Sequence, residues 1–97
     1  MTESSSSHPS RGGYEVTIKS SAVKELAAVE PKKQRQHIAK KIAALASIPR
    51  PPGCEKLAGQ DDAYRIRHRR YRIVYTIFDR TLTVEVIAVK HRKDVYR

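Results

Sequence analysis

Five arginines, Arg65, Arg67, Arg69, Arg70 and Arg72, fall within the thirteen residues AYRIRHRRYRIVY that run from Ala63 to Tyr75. Arg65 and Arg67 stand two apart, the spacing that puts side chains on one face of a β-strand. Guanidinium groups arranged in this way repel one another, which costs stability unless something anionic sits between them. Each presents a rigid fork of donors that suits phosphate oxygens, so a phosphodiester backbone is a fitting anion. A second basic cluster, KHRKDVYR from Lys90 to Arg97, contributes Lys90, Arg92 and Lys93 directly after a β-rich run. Cations are abundant here. No carboxylate cluster suits a divalent metal, and four scattered histidines with one cysteine do not make a zinc site, so no metal or other cofactor is expected.

The elements that must position these side chains follow from periodicity. YEVTIK, from Tyr14, alternates Val16 and Ile18 on one side and predicts a short first strand. Ser20 and Ser21 are suited to cap a first helix whose apolar stripe is Val23, Leu26 and Ala27. Pro31 fits the first turn of a second helix reaching to about Ser47, with Ile38, Ile42 and Leu45 on its packing face and Lys33 and Lys40 opposite. PRPPG, Pro49 to Gly53, ends it.

From Ala63 the period becomes two. Tyr64, Ile66 and His68 take one parity and the arginines the other, a turn follows near Arg69 and Arg70, and YRIVYTIF resumes the alternation. Tyr71, Ile73, Tyr75 and Ile77 share a face there, opposite Arg72, Val74 and Phe78. DRT makes a second turn, and LTVEVIAV, apolar on both faces, reads as a central strand. The expected fold class is α+β in the order β-α-α-β-β-β: two N-terminal helices on one face of a small, mainly antiparallel four-stranded sheet whose other face stays partly open. By parity His68, Tyr64, Tyr71 and Tyr75 belong with the packing.

With 97 residues and a formal net charge of +10, the chain is one domain attracted to polyanions. Residues 1–13 read as a flexible leader lacking the apolar core of a signal peptide, and residues 14–97 as the domain. A single cysteine, Cys54, makes no intrachain disulfide and no apolar run is long enough for a membrane span, so a cytoplasmic location is expected.

The ordered set Lys56-Leu57-Ala58-Gly59, Tyr64-Arg65-Ile66-Arg67, Tyr71-Arg72-Ile73-Val74-Tyr75 and a terminal Arg92 followed by Tyr96 resembles the RelE-like toxins of bacterial type II toxin–antitoxin systems. The resemblance covers residues 14–97. It implies the same strand and helix order, and a metal-independent endoribonuclease that cleaves mRNA in the ribosomal A site, its 2′-hydroxyl attacking the adjacent phosphate to give a cyclic phosphate and a 5′-hydroxyl. Carried over by position, Arg65 and Arg67 match basic residues of the first hairpin strand, Arg72 and Arg92 match arginines that hold the scissile phosphate, and Tyr96 matches a tyrosine that stacks on a base or orients the attacking hydroxyl. Arginine at 65 and 67 departs from the lysines of the best-known member, and a guanidinium does not act as a base near neutral pH. That leaves Tyr96, His91 or His68 for the proton.

Arg69, Arg70, Lys33, Lys40, Lys90 and Lys93 are expected to contact RNA, Lys33 and Lys40 against 16S ribosomal RNA. The partners implied are a RelB-like antitoxin and the ribosome with its mRNA, the unbound toxin being monomeric. Two other classes share these features: a ParE-like inhibitor of DNA gyrase without nuclease activity, and a non-catalytic RNA-binding protein.

Overall fold

A computed structural model describes residues 13–59 and 62–91. Strand β1 (Glu15–Ile18) leads to helices α1 (Ser20–Ala27) and α2 (Lys32–Ala44), then β2 (Glu55–Lys56), β3 (Ala63–His68), β4 (Tyr71–Phe78), a 3-10 turn at Asp79–Thr81, and β5 (Thr83–His91). The sheet order is β1-β5-β4-β3-β2, with β1 parallel to β5 and every other pairing antiparallel. The α+β class and the helix pair match expectation, but the sheet has five strands rather than four. The added strand, β2, is two residues long, too short to carry a periodic signal.

The helices begin differently from expectation. Ser20 and Ser21 lie inside α1, and Lys19 takes the N-cap position without a side-chain cap. Val23 is exposed, whereas Ala22 is fully buried and Leu26 packs on the core, so the stripe of α1 runs through Ala22 and Leu26 and continues to Val29 beyond its end. In α2, Ile38, Ile42 and Leu45 are buried as expected, and Pro31 stands at the N-cap. These side chains cover one face of the sheet, meeting Ile66, Ile73, Tyr75, Ile77, Val84, Val86 and Val89.

One irregularity sets what the end of β5 presents. Val86 pairs with Tyr75 but Ala88 with Val74, so Ile87 is an extra residue bulged out of the ladder. The buried parity moves from Val84 and Val86 to Val89, and Lys90 comes to lie opposite Arg72. The amide of Val89, on the side of β5 left uncovered where β1 stops, is capped by the Glu25 carboxylate at 2.8 Å, and the other oxygen of that carboxylate accepts from Lys90 Nζ at 2.6 Å.

The proline-rich loop is stapled to the sheet by polar contacts. Arg50 donates to Asp79 at 2.9 Å and to the Tyr64 hydroxyl at 3.1 Å, Tyr14 donates to Asp79 at 2.6 Å, and the buried Tyr75 hydroxyl donates to the Pro49 carbonyl at 2.9 Å. Arg50 and Tyr14 together hold the Asp79 carboxyl below its ordinary range. A carboxyl depressed on folding adds stability above its unfolded pKa of about 3.9 and loses it as pH falls through the folded value. Between pH 5 and 2, at roughly the window that sign defines, the urea midpoint of the native chain should therefore fall more steeply than that of Asp79→Asn. Parallel curves would show that the staple contributes nothing.

Candidate nucleic-acid interface

The open face of the sheet, opposite the helices, carries the arginines in register. Cross-strand partners share a face, and β3, β4 and β5 align Arg67, Arg72 and Lys90 in a single row. The adjacent row on the same face aligns Glu55, Arg65, Val74 and Ala88 across β2, β3, β4 and β5. Neighbouring strands lie about 4.8 Å apart and alternate residues of one strand about 7 Å apart, so Arg65, Arg67 and Arg72 share a patch about 10 Å across, while the ammonium of Lys90, at the end of its row, is engaged by Glu25.

This patch is held in place rather than waving in solvent. Arg72 is half-buried, with its Nε and Nη1 enclosed, as is Nε of Arg65. Below both rows the buried parity of the same strands, Ile66, Ile73 and Val89, is locked into the core.

The anion that relieves the arginine row is part of the chain. Glu55 forms an ion pair with Arg65 Nη2, and its carboxyl is held below the ordinary range first by Arg65 and further by the charges of Arg67 and Arg72. Sequence reading missed this residue, and Glu25 as well. Glu55 precedes the matched Lys56-Leu57 by one position, yet a strand so short between a proline-rich loop and Gly59 offers no parity from which to aim its side chain.

Other candidates lie elsewhere. His91 pairs with Tyr71 on the helix-facing parity, their rings edge to face with centroids 5.0 Å apart, so the sheet separates it from Arg72. Arg69 and Arg70 form the β3–β4 turn, Arg69 adopting a φ of +56°, and with Gln34, Tyr71 and His91 they line a polar cleft of about 360 Å³ at the end of the sheet. His68 also sits on the helix side, 2.8 Å from the Gln34 carboxamide oxygen, with burial and then Lys41 pushing its pKa down. The structure thus places His68 in packing, as parity implied. Lys33 and Lys40 are exposed on α2. Arg92, Lys93 and Tyr96, together with residues 1–12 of the expected leader, lie outside the described residues.

Beside the cationic patch runs an apolar groove of about 420 Å³ between α2, the proline-rich loop and β3. Leu45, Ile48, Pro52 and Ile66 line it, and Lys41 and Arg67 stand at its margins. Among the described residues, no helix is long and apolar enough to cross a membrane.

Comparison with known proteins agrees with this architecture. Residues 16–96 match the model of a family described as the ParE toxin of the type II toxin–antitoxin system parDE. A putative RelE-like toxin protein of Escherichia coli is 36% identical over 87 residues, covering 86% of this chain and 90% of that protein. The crystal structure of the isolated E. coli RelE toxin superimposes with a TM-score of 0.70 at 32% identity, covering 86% of this chain and 90% of the other. An archaeal RelE–RelB complex from Pyrococcus horikoshii is similar to the chain with a TM-score of 0.73 at 27% identity, over 82% of this chain and 96% of that one. The intact E. coli RelBE toxin–antitoxin complex aligns with a TM-score of 0.70 at 31% identity, over 80% and 95%.

Proposed function

Because this chain belongs to the RelE-like toxins of the RelE/ParE superfamily of type II toxin–antitoxin systems, we propose that it is a ribosome-dependent endoribonuclease that cuts mRNA in the A site. The observation that carries the reading is the pair Arg67 and Arg72 in register, flanked by Arg65, on the sheet face opposite the helices. Phosphate contacts position an RNA strand, and half-buried guanidinium groups stabilise charge that grows on the phosphorane without reorganising. The 2′-oxygen attacks phosphorus as the bond to the 5′-oxygen breaks. The 2′ proton goes to the base and the leaving oxygen takes one up, so no divalent metal is required.

Guanidinium groups, with pKa values above about 12, remain charged and serve as electrostatic stabilisers rather than bases. His68 and His91 lie on the helix side of the sheet. Their placement supports Tyr96, the resemblance-matched tyrosine four positions after Arg92 in the sequence, as the group that accepts or steers the 2′ proton. Control falls to an antitoxin: two of the similar structures are complexes with RelB. An acidic amphipathic segment fits the apolar groove, its carboxylates meeting Lys41 and Arg67.

Primer extension on a message translated in a reconstituted bacterial system tests the proposal. Cuts at A-site codons that require ribosomes are expected. An intact message at high protein concentration would overturn the nuclease reading. The ParE description of the matching family model favours gyrase inhibition as the second reading, and a supercoiling assay then decides it.

A further inference from the structure

Among the described residues, Glu55 is the one carboxylate in register with the arginine rows, on the face where RNA is proposed to bind. It sits on a two-residue edge strand, is itself exposed, and pairs with Arg65 on the neighbouring strand. Arg65 engages it through Nη2, while Arg65 Nε stays buried with no hydrogen-bond partner among the described residues. A buried donor left unserved costs stability, and an acceptor with more than one oxygen to offer, such as a phosphate, would serve both nitrogens of the fork. Packing does not explain the Glu55 side chain, because it covers no core residue and its contact is a charge.

From this arrangement we infer that Glu55 is a built-in stand-in for phosphate: it neutralises and holds the arginine cradle in the unbound protein, and an RNA phosphate displaces it from Arg65. The inference rests on the proposed RNA-binding reading of this face and specifies how that face is kept assembled while empty. Glu55 is a positioning residue that acts through Arg65. Its presence sets a threshold, since only a polyanion that brings several phosphates to Arg65, Arg67 and Arg72 together outcompetes a tethered carboxylate. Isolated anions compete poorly against a partner fixed on the adjacent strand. Binding therefore favours an extended strand over a mononucleotide.

Salt dependence distinguishes displacement from a strut. When a phosphate replaces Glu55, the released carboxylate regains a counterion and cancels part of the counterion release that drives binding. In Glu55→Gln that cancellation disappears. Fluorescence anisotropy of a labelled single-stranded RNA oligonucleotide with the full chain should show Glu55→Gln binding about three- to tenfold tighter at low salt, with the slope of log K against log salt steeper by about 0.7, one phosphate contact on a single strand. Glu55→Asp, which keeps the charge, should retain the native slope. Glu15→Gln, the same charge change on the far edge strand, should alter affinity by less than about twofold, because its charge lies more than a Debye length of ~10 Å from the patch. Equal shifts from Glu15→Gln and Glu55→Gln would overturn the inference, as would a Glu55→Gln variant with native or weaker affinity and a parallel slope. Arg72→Ala, measured alongside, separates the two levels: if it binds as tightly as the native chain, the RNA-binding reading itself falls, whereas if it binds weakly while Glu55→Gln stays native, only the Glu55 inference does.

Discussion

Arg72→Ala should lower the rate of ribosome-dependent mRNA cleavage by roughly two to three orders of magnitude, the loss seen when one preorganised transition-state donor is removed. Arg72 holds the middle of the row on β4, between Arg67 on β3 and Lys90 on β5, so a phosphate seated on the patch meets it whichever neighbour it also touches. Its Nε and Nη1 are already enclosed by the protein before substrate arrives. Arg67, more exposed and near the sheet edge, should matter less. Arg72→Lys should recover only part of the loss, because an ammonium supplies the charge without the fork. Single-turnover cleavage on programmed ribosomes measures the rate, and a thermal melt checks that the fold survives, as a side chain pointing away from the core should allow. Cleavage within threefold of the native rate would remove Arg72 from the reacting phosphate.

Ile73→Ala, one residue further along, should instead destabilise the whole domain by about 2–5 kcal/mol, the usual cost of truncating a fully enclosed aliphatic side chain. Ile73 is fully buried at the centre of the row Ile66–Ile73–Val89, on the parity opposite Arg72. Truncation leaves a cavity between the sheet and the helices that neither layer can close without moving a strand. For a domain of this size each kcal/mol corresponds to about 4–8 °C, so the melting temperature should fall by at least ~8 °C. Urea unfolding gives the free energy directly. A loss below about 1 kcal/mol would mean that the core is looser than its burial indicates. At a temperature where the variant is still folded, its cleavage rate should be near native, because the guanidinium row is carried on the other face. Arg72→Ala should show the reverse pattern. Adjacent residues of one strand thus divide stability from chemistry.

Much of this division was legible in the sequence because it depends on alternation. The parity of Tyr71, Ile73, Tyr75 and Ile77 against Arg72 and Val74 needs only the two-residue repeat, and the packing face of α2 needs only the helical one. Features governed by single residues escaped. Neither Ser20 nor Ser21 reveals that the helix starts at Ser20 itself rather than after a serine cap, and Ala22 carries too little hydrophobic signal to outweigh Val23, although its small side chain is the one that is fully buried. Strand β2 is a single period long, so nothing in it repeats. For the same reason Glu55 drew no notice, although the repulsion among the arginines had already shown that an anion was wanted near them. The place of His91 needed the strand register: opposite Tyr71, it lies on the helix side of the sheet, which parity read only as far as Phe78 does not reach.

The bulge at Ile87 has a consequence for how this surface can change over time. It divides β5 into two separately phased halves, one tied to β1 through Val84 and Val86, the other to β4 through Val89 and Lys90. Were the strand paired without interruption, Val89 would stand opposite Arg72 and Lys90 would be turned inward. Because the extra residue absorbs the offset, removing it would leave the same partners aligned, whereas a length change on either side would invert one half. Ile87 is thus a joint at which chain length can drift while Lys90 stays in register with Arg72, and the scaffold and the reactive end of the strand are left to vary on separate terms.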